Sequence, residues 1–259
     1  MKLIAFIQMY NEAEKGNLVR CLENVRQWAD DVVIYDDGSI DSSVEIASHY
    51  TRHIIRGKQN CVIRELYHKQ ELLEYALTLF PDWLMWIDCD EILDRNATQG
   101  GLRHLATNAA PDVDAFSFHE LNLWRSQTYA RTDSLFNNGW FCRLWRVQAG
   151  MHFQTVEEVH ARLYPITIEN VQQSMFKVIH YGFWDYKKML VKIGALGDKE
   201  YIQTVATDNW ILNETECCCY RVNDDLFPPE NIPPDVWAEP KPRTFAELLP
   251  YAEIEETGK

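Results

Sequence analysis

The 259-residue chain contains no run approaching the roughly 20 consecutive apolar residues that a bilayer-crossing helix needs, so no transmembrane segment is expected. Its seven cysteines show no C-x-x-C spacing, and an odd number does not close a disulfide framework. Reduced thiols in a cytoplasmic protein are therefore expected, the unusual run Cys217-Cys218-Cys219 included. The opening MKLIAFIQMYNE has one Lys and no small-residue cleavage site, so it reads as a buried first strand rather than a signal peptide. Basic charge is also scarce. Against 39 Asp and Glu stand 25 Lys and Arg, a formal net charge of −14. A field of that sign repels nucleic-acid backbones and anionic membranes, which argues against general nucleic-acid binding.

What is present is the composition of a folded protein, 46% hydrophobic and 25% charged, on a chain long enough for a sizeable core. Leu3 to Gln8 is a short apolar run. Leu18, Cys21, Leu22, Val25 and Trp28 then recur at helical spacing. The run VVIYDD between Asp31 and Gly38 reads as a second buried strand, and Asp41 and Ser42 are N-caps for a helix through Val44, Ile46 and Ala47. A short strand from His53 to Arg56 follows. A helix carrying Leu66, Gln70, Leu73, Ala76, Leu77 and Phe80 then stops near Pro81, before the apolar run WLMWIDCDE. Strands alternating with helices predict an α/β fold with a doubly wound, mostly parallel sheet. Further on, Asp114 to Glu120 and Phe141 to Val147 read as strands and Tyr186 to Tyr201 as a helix. From Glu214 to Lys259 there are 11 acidic and 4 basic residues, and seven of the ten prolines lie between Pro228 and Pro250. The expected division is one domain over residues 1–210, with halves 1–95 and 96–210, and an acidic, Pro-rich tail over 211–259.

Sheets of this kind bind ligands outside the carboxyl ends of their strands. That rule singles out Tyr10-Asn11-Glu12, Asp36-Asp37-Gly38-Ser39 and Asp88-Cys89-Asp90-Glu91, which should meet in space. In an extended chain Asp88 and Asp90 would point to the same side. Two carboxylates at the end of a buried strand call for a cation, and hard oxygen ligands suit Mg²⁺ or Mn²⁺. Magnesium completes its shell with phosphate and water, so the metal is expected to arrive with a diphosphate. The stretch between Arg52 and Lys69 carries Arg52, Arg56, Lys58, Arg64 and Lys69 against Glu65 alone, which suits a bound diphosphate. The aromatics Trp124, Tyr129, Phe136, Trp140, Phe141 and Trp145 suit either a sugar-stacking acceptor groove or a core.

The series MYNEAEKGNLVRCLENV, DDVVIYDDGSIDSSVEIA and DWLMWIDCDEIL resembles the family 2 glycosyltransferases of GT-A fold, in order, spacing and strand context. NGWFCRLWRV, EEVHARLYP and VIHYGFWDYKKMLVKI resemble later segments of bacterial relatives, among them lipopolysaccharide-core transferases, so the likeness reaches to about residue 200. The resemblance implies a GT-A glycosyltransferase, with inversion, a nucleoside-diphosphate-sugar donor (a UDP-sugar foremost) and a saccharide or other hydroxyl-bearing acceptor. Tyr10, Asn11 and Glu12 would line the nucleotide pocket, and Asp36, with Asp37 beside it, would bind base or ribose. Asp88 would face ribose and metal, Asp90 would ligate the metal, and His180 would be a further metal or diphosphate contact. Arg64 and Lys69 fall where a basic residue often stands near the donor. The relatives usually have Glu after the Val-His pair, whereas this chain has Ala161 after His160. The base that takes the acceptor proton is then Glu157, Glu158 or His160, with Glu120 a more distant option. Two rivals remain: a catalytically inactive sugar-nucleotide binder, and a sugar nucleotidyltransferase. The latter normally has a Gly-rich phosphate loop, whereas Ile7-Gln8-Met9-Tyr10-Asn11 holds no glycine.

Overall fold

Alternation along the first strand sets the layering of the protein. β1 (Leu3–Met9) sends Leu3, Ala5, Ile7 and Met9 into one core and Ile4 and Phe6 into another, because successive side chains leave a strand on opposite faces. The computed structural model describes residues 1–13, 16–124, 127, 129–131, 139–156, 162–183, 219–221 and 226. The chain divides into two units. One comprises Met1–His119 and Trp140–Val178, the other Glu120–Gly139 and Ile179–Lys259.

In the first unit β1 is followed by α1 (Asn17–Val25), β2 (Asp31–Asp36), α2 (Ser43–Ser48), β3 (Ile54–Arg56), α3 (Glu65–Leu77) and β4 (Trp83–Trp86). β1 lies between β2 and β4 and is parallel to both, and β3 adds in parallel outside β2. Three carboxyl ends are thereby brought side by side. The chain continues through β5 (Glu91–Leu93), α4 (Gln99–Thr107), β6 (Ala115–Trp124), β7 (Tyr129–Arg131), β8 (Trp140–Arg146), β9 (Val171–Phe183) and β10 (Cys219–Arg221). β8 runs antiparallel beside β4, and the first residues of β6 lie antiparallel beside β8. β9 pairs with β5. In the second unit β7 pairs antiparallel with β10, and Leu123 of β6 pairs with Ala130.

One face of the sheet is covered by α1, α2 and α4 through Leu18, Cys21, Leu22, Val25, Ala47, Leu102 and Ala106. The other is covered by α3 through Leu66, Leu72, Leu73 and Ala76, joined by Phe153 and Ile168. There Phe6, Trp86, Trp145 and Phe153 pack with ring centroids 5.4 to 6.3 Å apart. Such aromatic pairs contribute roughly 1 kcal/mol each beyond their buried area. Trp28 lies past the end of α1 yet is buried, its indole N–H donating to Asn24 Oδ1 at 3.0 Å.

Phe80 departs from the expectation that it shares the buried face of α3. The helix ends at Leu77, and Phe80 has φ 54° and is 86% exposed. A residue before proline is disfavoured in the helical region, so the chain leaves the helix ahead of Pro81. Of the two caps expected at α2, Asp41 acts and Ser42 does not. Ser42 makes no side-chain cap bond, whereas Asp41 accepts the Ser43 N–H at 2.9 Å. The helix expected over Tyr186–Tyr201 lies outside the described residues, as does nearly all of the tail. Among the described residues no helix is long and apolar enough to cross a membrane.

Candidate active site

The loops after β1 and β2 are tied together by hydrogen bonds. The Asn11 N–H donates to Ser39 Oγ at 2.9 Å, and Asn11 Oδ1 accepts the Ile40 N–H at 2.9 Å. Ser43 Oγ accepts the N–H groups of Glu12 and Ala13 at 2.7 and 2.9 Å. Asn11 sits at φ 48°, a left-handed conformation that Asn tolerates better than most residues. Tyr10 beside it is 37% exposed. Gly38 has φ 79°, and a Cβ there would stand 2.7 Å from the backbone of Gln59. A glycine is what lets the 57–61 segment close over the end of β2.

Asp36 and Asp37 turn inward. Asp36 is fully buried, its Oδ1 accepting the Ser39 N–H at 3.2 Å and its Oδ2 paired with Arg56 Nε at 3.1 Å. Asp37 Oδ2 accepts from Asn60 Nδ2 at 3.0 Å and from the Cys61 N–H at 3.2 Å. Its Oδ1 faces His68 Nδ1 at 3.4 Å, and that imidazole stacks on Tyr35 with centroids 4.6 Å apart. Burial pushes the Asp37 carboxyl above its ordinary value, against the opposing pull of the Cys61 N–H and His68. The pair therefore holds the loops around it.

Asp88 is arranged otherwise. It follows β4 and opens a turn, the Glu91 N–H donating to the Asp88 carbonyl at 3.0 Å, so Asp88 and Asp90 do not lie on an extended strand as expected. The turn wins because Glu91 Oε2 also accepts the Asp88 N–H, at 2.9 Å. Asp88 Oδ1 accepts the Trp86 indole N–H at 2.8 Å, and Oδ2 meets Arg143 NH1 at 3.2 Å. The other end of the Arg143 guanidinium grips Glu91 Oε1. The Asp88 side chain is 41% exposed, while those of Arg143 and Glu91 are 8% and 2% exposed. Beneath the turn, Cys89 Sγ reaches the Gln8 carbonyl and Cys21 Sγ the Asp88 carbonyl. Both thiols are pushed far up by burial, then by the carboxylates of Glu12, Asp88 and Asp90 around them. The acids expected to meet at the strand ends do gather there, and these two cysteines are inert packing.

Lys69 is completely buried. Its Nζ pairs with Glu65 Oε1 at 2.5 Å and lies 3.2 Å from the centroid of Trp86. Burial lowers its pKa to about 8, with Glu65 and Asp88 pulling the other way. Arg64 is exposed, over the ring of Tyr67. His180 belongs to the second unit, where its Nδ1 lies 2.7 Å from Asn122 Oδ1 and 3.7 Å from Glu120 Oε1. Glu157, Glu158, His160 and Ala161 lie outside the described residues. Of the aromatic segment, Trp145 is core, whereas Trp140 and Phe141 are 39% and 40% exposed and Phe141 lies against Arg143. Phe136 and the side chains of Trp124 and Tyr129 are outside the description.

Sequence reasoning missed His68 and Arg143, and it named Glu91 within the 88–91 cluster without giving it a role. Arg143 carried a usable signal. A cation between Cys142 and Leu144, in a segment read as a strand, demands a partner if it is buried. Among the described residues no three His, Cys, Asp or Glu side chains converge as a metal-holding group.

The Glycosyl transferase family 2 model matches residues 5–154. No curated protein matches significantly. Among solved structures, S. aureus TarS (residues 1–349) with UDP-GlcNAc is 16% identical, with TM-score 0.35, over 48% of this chain and 34% of that one. The mannosyltransferase PcManGT from Pyrobaculum calidifontis with GDP-Man and Mn²⁺ is 18% identical, with TM-score 0.35, over 45% and 35%. Glucosyl-3-phosphoglycerate synthase from Mycobacterium tuberculosis with Mn²⁺ and UDP-Glc is 14% identical, with TM-score 0.30, over 47% and 43%. The chain thus spans well under half the length of each of these three structures.

Proposed function

The chain belongs to glycosyl transferase family 2, and on that premise we propose that it moves a sugar, with inversion, from a nucleoside-diphosphate donor to an acceptor hydroxyl. It is a glycosyltransferase of GT-A fold. The observation that carries the site assignment is the Asp88 turn. It places a half-exposed carboxylate at the carboxyl end of β4, with its orientation held from three sides. Asp88 and Asp90 are hard oxygen donors in number and type suited to Mg²⁺ or Mn²⁺ that shares its shell with a diphosphate. When bound, that ion neutralises charge on the departing nucleoside diphosphate.

The protein's own groups do the rest. Tyr10, Asn11 and Glu12 line the nucleotide side of the crevice. Asp36 and Asp37 act through the loops they fasten, Asp36 through Arg56 and Ser39 and Asp37 through Asn60 and Cys61. Lys69 adds positive potential behind Trp86. Glu157, Glu158 or His160 accepts the proton of the attacking hydroxyl. Phe141, exposed beside Arg143, offers a face on which a sugar can stack. The donor base in this reading is uridine.

Thermal unfolding against nucleoside diphosphates, each with and without Mn²⁺, tests this reading. A ligand at about 100 times its dissociation constant stabilises by roughly 2.7 kcal/mol. A Mn²⁺-dependent rise with one nucleotide is expected, and no rise with any nucleotide refutes it. Ala161 after His160 sustains one other reading, a sugar-nucleotide binder without turnover. Affinity for the sugar nucleotide with no release of nucleoside diphosphate, in the presence of acceptor candidates or water, would favour it.

A further inference from the structure

We infer that Glu91 and Arg143 are a positioning pair for Asp88, an inference that rests on the metal-diphosphate reading of that carboxylate. Glu91 spends one oxygen on the Asp88 N–H, which shapes the turn, and the other on Arg143 NH2. Arg143 spends its NH1 on Asp88 Oδ2. The connection is therefore a closed ring, from Asp88 backbone to Glu91, to Arg143, and back to the Asp88 side chain. The Trp86 indole fixes the remaining oxygen of Asp88 at 2.8 Å. A carboxylate offers about four lone-pair positions. Two are thus taken by protein donors, and about two are left on a side chain that is 41% exposed.

The asymmetry of burial decides which member acts on which. Glu91 and Arg143 are both more than nine-tenths buried, so neither side chain reaches solvent to meet a substrate. Asp88 alone is open, at 41%. A buried ion pair is poor evidence of stabilisation, because desolvation offsets much of the attraction. Fixing an exposed carboxylate in one rotamer is a use that the geometry does support, since a ligand atom misplaced by about 1 Å loses much of its effect. Arg143 is also the wrong residue to replace conservatively. A lysine has no planar fork and cannot span Glu91 and Asp88 together.

The test has two arms, and one needs neither metal nor donor. The Trp86 indole N–H resonance, assigned with W86F, reports the place of Asp88 directly. In E91Q and R143Q that resonance should shift and its exchange with solvent should quicken at least tenfold. The Gly101 N–H, bonded to Thr98 Oγ1 at the start of α4, should stay where it is. In the second arm Mn²⁺ binding is measured by electron paramagnetic resonance with UDP present. Each single variant, and R143K, should weaken Mn²⁺ about tenfold, and the E91Q/R143Q double variant should weaken it no further than either single. An unmoved Trp86 resonance in folded variants, or effects on Mn²⁺ that multiply in the double variant, overturns the pairing. If wild type takes up no Mn²⁺ with any nucleotide, the metal reading of the site fails, and the indole arm still decides whether the pair positions Asp88.

Discussion

Replacing Lys69 by methionine should make the protein more stable at neutral pH. Lys69 is completely buried, and burial lowers its pKa from the ordinary 10.5 to about 8. At 1.36 kcal/mol per pH unit, keeping that ammonium charged inside the fold costs roughly 3 kcal/mol relative to a neutral side chain. Methionine has similar reach and no charge. It strands Glu65, which is 17% exposed and can be hydrated, at about 1 kcal/mol. The net expectation is a gain of roughly 2 kcal/mol at pH 7, or a melting point roughly 4 to 8 °C higher for a chain of this size.

The pH dependence of that difference is the sharper check. Between about pH 8 and 10.5 the unfolded chain holds a proton on Lys69 that the folded chain has released. Wild type therefore gains on the variant as pH rises through that window, and the penalty is fully present below it. Tyr35 and Tyr50, both pushed up to about 12 by burial first, titrate alike in both proteins and cancel in the comparison. Urea unfolding of wild type and K69M from pH 7 to 10 measures the gap. A variant less stable than wild type at pH 7, or a gap that does not narrow on going to pH 10, refutes the reasoning.

Asp90→Ala should cut metal-dependent donor turnover by at least 100-fold while the melting point moves by no more than about 2 °C, as is usual away from the core; wild-type turnover in this variant removes the metal assignment. Gly38→Ala combines a φ of 79° with a Cβ 2.7 Å from the Gln59 backbone, so a loss of about 2 kcal/mol and weaker nucleotide binding are expected; urea unfolding with a nucleotide titration checks both. Asp114 is held below its ordinary value. Burial alone would raise its pKa, but the N–H groups of Asn170 and Glu169 and the Gln148 amide outweigh it. Its contribution is present above about pH 4 and is lost as pH falls through its lowered folded value. Asp114→Asn should accordingly flatten the acid limb of the stability curve, and an unchanged limb contradicts the assignment.

Sequence periodicity located β1, β2, β3 and β4 and the helices between them because each pattern is local. Strand alternation or a 3.6-residue repeat needs no knowledge of distant residues. The carboxyl-end rule then pointed to residues 10–12, 36–39 and 88–91 as neighbours, which they are. Phe80 shows where local reading fails, since its exposure follows from the chain direction before Pro81 and not from hydrophobicity. Asp36 and Asp88 show the deeper difficulty. Both end parallel strands with the same local signature, yet one is sealed by Arg56 and Ser39 and the other stands open.

The order of strands, the acids at their ends and the family resemblance were all properties of the sequence by itself, because they depend on residue type and spacing. Tertiary structure alone decided what each acid does. Arg143 lies 55 residues from Asp88 and 52 from Glu91 along the chain, and they meet because β8 runs antiparallel beside β4. His68 comes under Asp37 only because α3 packs on the sheet face that carries Tyr35. Charges buried at such distances in sequence are set by which strands become neighbours, and no local pattern records that pairing.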